Sequence, residues 1–282
     1  MHLIVGCRNL ERAEVAKADL EERTGKKDIF EILIIDVMDF TSVRNAVSNL
    51  SHTIDGIILN AGGPGGREMC GITKDGVINI MAVNTMGHAL LVHECIQSKK
   101  LSKGSSVLYV SSEGARGVPN LGFPQPKIES GSVDEFKEAI DGSKFVKLKD
   151  QSYETTYSFA KLIGNLWNDS MSRKFPEYRF VSVSPGMTNS TQIANDFPPF
   201  QKFMFTVLSP VVKIFGMSHG PDLGAKRYLD VMYDFETYKT GKFYGSVKGL
   251  IGPLGDQEQF FDALSNETYQ DNAHEAIKSF FN

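Results

Sequence analysis

The chain is short of several residue types, and each shortage excludes something. Its 282 residues contain only three cysteines, Cys7, Cys70 and Cys95, far apart in the sequence. That count excludes a disulfide framework and a cysteine-rich zinc site, and it fits a reducing, cytoplasmic compartment. Neither sign of charge dominates: 30 Lys and Arg stand against 34 Asp and Glu, a net charge of −4. A nucleic-acid partner, which needs a basic footprint, is therefore not expected. Histidines number six, and His88 and His93 lie five apart, poor helical spacing for a shared ion, so no metal is expected. Long hydrophobic runs are missing too. The longest, FMFTVLSPVVKIFGM at 203–217, carries Pro210 and Lys213 and falls short of the roughly 20 residues that span a bilayer. It leaves room for contact with a membrane surface or an apolar ligand. Arg8 and Glu11 interrupt any signal-peptide core. There is no internal repeat and no low-complexity linker, and 41% hydrophobic against 23% charged residues is the balance of one soluble globular domain.

What is present alternates. Strand-like LIVG (3–6) precedes a charged helical stretch at 10–23. FEILIID (30–36) precedes SVRNAVSNL (42–50), and IDGIILN (54–60) ends in AGGPGG (61–66). A long helix is predicted over 76–96 and a strand over 106–112. Another helix begins near Thr156, followed by strand RFVSVS (179–184), a helix over 221–234 and a last short strand over 242–246. Strands alternating with helices predict parallel βαβ units covered on both faces. In such sheets ligands bind beyond the carboxyl ends of the strands, and several polar residues sit there.

Asn60-Ala61-Gly62 follows the third strand, Ser111-Ser112 closes the fourth, and Pro185-Gly186-Met187-Thr188 follows the fifth. Tyr-x-x-x-Lys occurs three times: Tyr157/Lys161, Tyr238/Lys242 and Tyr244/Lys248. The second spans the turn signal Thr240-Gly241 and the third reads as strand. Only Tyr157/Lys161 falls on a predicted helix, where positions i and i+4 share a face.

With Asn84 in VNTMGHALL, this order resembles the short-chain dehydrogenase/reductase family over nearly the whole chain. The resemblance implies a single-domain Rossmann-type α/β fold with a doubly wound parallel sheet. It implies a catalytic tetrad of Asn84, Ser112, Tyr157 and Lys161. Tyr157 would be the general acid or base as hydride moves between a nicotinamide cofactor and a carbonyl. Ser112 would bond the substrate oxygen, and Asn84 would hold a water linking Lys161 to solvent. A free phenol titrates at about 10. A lysine ammonium about 4 Å away, at an effective dielectric of about 20, is worth roughly 4 kcal/mol. That field predicts a Tyr157 pKa near about 7.

The resemblance also places the cofactor. Arg8, behind the first strand where NAD users carry an acidic residue, would hold the 2′-phosphate of NADP bidentately. Asp36 and the adjoining Val37 would border adenine, and Asn60, Ala61 and Gly62 the adenosine ribose. Tyr157 and Lys161 would meet the nicotinamide ribose, and Pro185, Gly186 and Thr188 the nicotinamide. The loop GGPGG (62–66) lacks the Lys-Ser/Thr of a P-loop. In this alignment MHLIVGCRN matches the family's second strand. The first strand and the TGxxxGxG turn, which would cradle the pyrophosphate, have no counterpart in these 282 residues. Three readings stand. The natural protein carries a further strand ahead of Met1, the reading favoured here. Or the strand at 3–6 slides into the centre of the sheet. Or the chain is a non-catalytic binding or scaffold protein. An unfilled position would leave a gap of about 9.6 Å, two strand spacings.

Forty-four residues separate Ser112 from Tyr157, too many for a bare connection. The 119–150 insertion and a Phe-rich 190–220 segment are expected to flank the cleft and act as a substrate lid. Both are similar to those of the branch holding protochlorophyllide reductases and retinol dehydrogenases. They imply a bulky apolar substrate, a carbonyl, alcohol or conjugated double bond. Contact with a second copy of the chain is also open.

Overall fold

A computed structural model describes residues 2–66, 68–188 and 218–281. The run 203–217 and most of the proposed 190–220 lid lie outside the described residues. Strand β1 (Leu3–Cys7) pairs in parallel with β2 (Phe30–Ile34), in register from Leu3–Phe30 to Cys7–Ile34. Helix α1 (Leu10–Thr24) connects them. The Asn9 side chain starts it by accepting from Arg12 N, and Gly25 stops it in the left-handed conformation, φ 67°. Asp39 caps α2 (Phe40–Ser48) by accepting from Thr41 N and Ser42 N.

β3 (Ile54–Leu59), β4 (Leu101–Val110), β5 (Arg179–Val183) and β6 (Phe243–Ser246) follow in spatial order, all parallel. The helix over 79–97, α3, joins β3 to β4. It is α-helical at Asn79–Met81 and Gly87–Gln97, with a π-turn at Ala82–Met86 between. α4 (Val133–Asp141), α5 (Ser143–Lys147) and α6 (Tyr153–Lys174) lie between β4 and β5. α7 (Pro221–Tyr233) precedes β6. Four elements have no counterpart in the sequence reading: α4 and α5 inside the insertion, and the two that follow β6. β7 (Leu254–Asp256) pairs antiparallel with β6, so the sheet is not wholly parallel. Helix α8 (Glu267–Lys278) lies against α6.

The strands form two sheets, β1-β2 and β3-β4-β5-β6-β7. β1 does not slide into the centre, contrary to one of the three readings. Its five-residue ladder with β2 would be lost by moving. β1 and β3 therefore each present an edge without a ladder partner among the described residues, and Leu3 and Ile58 stay 39% and 40% exposed there. Helices bridge the two sheets. Arg44 of α2 reaches Glu94 of α3 at 3.2 Å and donates to the Phe281 carbonyl at 2.7 Å. A Cβ on Gly87 would sit 1.9 Å from the Val37 carbonyl oxygen, so α3 touches the turn after β2 backbone to backbone.

The core lies between the larger sheet and α3, α6 and α8. Every residue of α6 from Phe159 to Met171 is buried, because α4 and α8 cover the side turned away from the sheet. Burying each of its large apolar side chains, such as Leu166 and Trp167, contributes about 1.5–3 kcal/mol. The 119–150 insertion supplies much of that cover. Phe136 of α4 packs edge-on against Tyr269 of α8 at 6.5 Å. The helices of the insertion thus turn onto α8 rather than over the cleft, and Phe123 is its residue that stands beside Tyr157, ring centres 6.2 Å apart.

Candidate active site

The carboxyl ends of β3, β4 and β5 open onto a cleft of about 580 Å³. Asn60 and Gly62 after β3 form one wall, and Ser112 after β4 stands with Tyr157 and Lys161 of α6. Pro185, Gly186 and Thr188 after β5 face them. These eight residues, each singled out from sequence, are brought together because the sheet ends at one level. The helix start sets the orientation: Ser152 caps α6 by accepting from Thr155 N, and Tyr157 follows one turn later. Lys161, one further turn along, shares its face.

Lys161 is 3% exposed and donates to the Val110 carbonyl at 2.9 Å. Burial without a carboxylate partner pushes its pKa down to about 7. Burial acts the other way on Tyr157, raising the phenol to about 12. A hydrogen bond with Ser112 opposes that rise and the charge of Glu113 adds to it. The phenol near 7 inferred from sequence is therefore corrected. The Lys161 ammonium sits 5.7 Å from the Tyr157 ring centre, turned to a carbonyl, and desolvation outweighs its field.

Asn84 lies in the π-turn and is fully buried. Its Oδ1 accepts from Gly63 N at 3.1 Å, and its Nδ2 donates to the carbonyls of Gly63 (2.6 Å) and Ile80 (2.8 Å). The Asn84 carbonyl accepts from Tyr109 Oη at 2.9 Å. Both Nδ2 hydrogens are thus spent, and the water-holding role expected for Asn84 would fall to the second lone pair of Oδ1. What the side chain does here is tie down the loop after β3. Ala61 points its carbonyl into the protein, where His88 Nε2 donates to it at 2.7 Å.

Arg8, Asp36 and Val37 do not line this cleft. Arg8 is exposed after β1. Asp36 accepts from Met38 N at 2.9 Å and so shapes its own turn, and Val37 lies against Gly87. They stand across the break between the two sheets. The sequence reading missed Tyr228, Gly224 and Pro221 of α7, which complete the cleft wall. It also missed Glu113, buried at 3% exposure directly after Ser112. Adjacency to Ser112 was the one available signal for Glu113; for α7 there was none, since its approach depends on packing.

The profile of the short chain dehydrogenase family matches residues 1–123. Over 203 residues the chain is 28% identical to dehydrogenase/reductase SDR family member 12 of Bos taurus, covering 71% of this chain and 56% of that protein. By these matches the chain is similar to the short-chain dehydrogenase family. Its fold agrees: an uncharacterized protein from Mycobacterium paratuberculosis superposes with a TM-score of 0.66 at 18% identity, covering 99% of this chain and 83% of that one. An NADPH-bound carbonyl reductase from chicken fatty liver superposes at 0.51 and 15% identity, covering 86% and 84%. The chain spans about half the length of the curated family relative. Among the described residues no helix is long and apolar enough to cross a membrane.

The residues at the β5 end fit the family's nicotinamide cofactor on the structure's own terms. Thr188 Oγ1 is buried with no hydrogen-bond partner among the described residues, and a carboxamide would satisfy it. Gly62 and Gly186 stand where the wall itself has no room for a side chain. A Cβ on Gly62 would come within 2.8 Å of Asn84 Oδ1, and one on Gly186 within 2.3 Å of the Leu250 carbonyl.

Proposed function

We propose that this chain is an NADPH-dependent oxidoreductase acting on the carbonyl, alcohol or conjugated double bond of an apolar small molecule, in the cytoplasm. The observation that carries this reading is the meeting of Ser112, Tyr157 and Lys161 on one wall of the cleft, opposite Thr188. The bound cofactor supplies hydride. Asn60, Gly62, Lys161, Pro185, Gly186 and Thr188 would hold its nicotinamide half. Arg8, Asp36 and Val37 would serve its adenosine half. Arg8 is exposed, with no carboxylate partner among the described residues, which favours a 2′-phosphate.

Within the chain the proton path is short. Tyr157 keeps its proton at neutral pH, since its pKa stands near about 12. It is therefore a donor toward a developing alkoxide, with Ser112 beside it to bond the same oxygen. Lys161, poised at about 7, can return a proton from within the same enclosure. The aromatic surround of Phe123 and Tyr153, the latter stacked on Tyr157 at 5.1 Å, supports an apolar substrate.

A non-catalytic binding protein is the second reading. Its support is that Arg8, Asp36 and Val37 do not line the cleft where Ser112, Tyr157 and Lys161 meet. Fluorescence titration with NADPH and NADH decides. Saturable binding with preference for NADPH is expected. No binding of either nucleotide would remove the enzyme reading for this chain.

A further inference from the structure

Among the described residues Glu113 is the one buried carboxylate next to a cleft residue, Ser112, and the tetrad chemistry does not use it. It opens the short 3-10 turn Glu113–Arg116 directly after Ser112. One carboxylate oxygen accepts from the Ser184 hydroxyl and the other accepts from Ser246 N at 2.9 Å. Ser184 Oγ in turn accepts from Gly186 N at 3.1 Å. A single side chain thus spans the carboxyl ends of β4, β5 and β6. The turn it reaches has Gly186 in the left-handed region, φ +76°, which glycine adopts freely.

Burying a carboxylate is costly unless it is well bonded. Two arginines stand close without pairing with it. Arg227 of α7, 6% exposed, donates to Ser246 Oγ at 3.0 Å and to the Gly252 carbonyl at 2.8 Å. Arg116 donates to the Ser246 carbonyl at 3.2 Å. They grip the same strand ends and leave the carboxylate to Ser184 and Ser246.

We propose that Glu113 is a positioning residue of this site, which clamps the Ser184–Gly186 turn for the cofactor and, directly after Ser112, sets a carboxylate near Tyr157. The proposal rests on the reading of the cleft as an NADPH site. The clamp and the charge make separable predictions. The groups facing Tyr157 are Ser112 and Glu113 after β4, Tyr109 within β4, Lys161 and Tyr153 on its own helix, and Tyr228 on α7. Of these Glu113 is the carboxylate, and its charge opposes ionisation of the phenol. The groups facing Glu113 are Arg116, Arg227 and Tyr157.

Two variants separate the effects. Glu113→Gln can accept from Ser246 N and donate to Ser184 Oγ, so it keeps the clamp and removes the charge. Ser184→Ala keeps the charge and removes the link to Gly186. In Glu113→Gln the alkaline limb of the reductive pH–rate profile should move down by about one pH unit, with NADPH affinity within about twofold of the parent. In Ser184→Ala the limb should stay and NADPH affinity should fall by about tenfold. A limb unmoved in Glu113→Gln, or affinity unmoved in Ser184→Ala, overturns the proposal. Amide hydrogen exchange without nucleotide tests the clamp alone. The Gly186 amide should exchange at least about tenfold faster in Ser184→Ala than in Glu113→Gln. Equal rates in the two variants refute the clamp. If the parent chain binds no NADPH, the reading of the cleft fails, and this exchange comparison still judges Glu113.

Discussion

The Lys161 ammonium lies 5.7 Å from the centre of the Tyr157 ring and spends its hydrogen bond on the Val110 carbonyl at 2.9 Å. A lysine in that position is an electrostatic load on the fold. Its pKa is about 7 in the folded chain against an ordinary 10.5. Between those values the unfolded chain binds more protons, so stability rises with pH across the window and the full penalty applies below about 7. Lys161→Met should therefore be more stable than the parent at pH 6, by a margin that shrinks through pH 8 to pH 10. Urea unfolding at the three pH values measures it. A margin independent of pH would mean that the lysine is not charged and desolvated as described.

Tyr157→Phe removes the proton donor and leaves the ring stack with Tyr153 and the contact with Phe123. Turnover should fall by about 10²–10⁴-fold, while NADPH affinity stays within a few-fold. Equal turnover in the variant would take the acid role away from this residue.

His88 is buried and held neutral, its pKa pushed down to about 4 by desolvation, although the bond to the Ala61 carbonyl opposes the shift. His274 is lowered to about 4 as well. Both are bases whose folded pKa lies below the ordinary 6.5, so stability is present above about 6.5 and is lost as pH falls toward about 4. His88→Gln keeps a donor for Ala61 without the titration. Its unfolding midpoint should drop less than the parent's between pH 7 and pH 4.5, and an identical drop would show that His88 does not contribute.

Gly164 of α6 passes so close to β4 that a Cβ would come within 2.1 Å of Tyr109 Oη. That hydroxyl donates to the Asn84 carbonyl, so one methyl group would press on the π-turn and the loop after β3. Gly164→Ala should cost about 1–3 kcal/mol in denaturant unfolding and weaken NADPH binding as well. Unchanged stability would mean that Tyr109 has another place to go.

Some of this was legible beforehand. Ser112 at a strand end, and Tyr157 with Lys161 on one helix face, are properties of local sequence; that the three meet was implied by the family resemblance. The Tyr157/Lys161 pair was separable from Tyr238/Lys242 and Tyr244/Lys248 by helix context alone, and the latter two lie at β6 and its flanks in the structure. His88 donates to Ala61 through Nε2, while its Nδ1 is buried with no partner among the described residues. The proton affinities were not legible. A point charge at an assumed 4 Å predicts a lowered phenol, whereas burial and the direction in which Lys161 turns reverse the sign. Beyond its place after Ser112 the sequence gives Glu113 no signal, and only the ends of β5 and β6 supply the partners that let it be buried.

By itself the sequence determined the alternation of strands and helices, and with it which residues stand at the carboxyl ends of the strands, because periodicity and turn residues act over a few positions. Tertiary structure decided the rest. It separated β1-β2 from β3-β4-β5-β6-β7, turned the insertion onto α8 and brought Tyr228 to the cleft. It also buried Lys161 and Glu113. These outcomes depend on contacts between residues far apart in the chain and on the exclusion of water from around a charge, neither of which is a property of any short stretch of sequence.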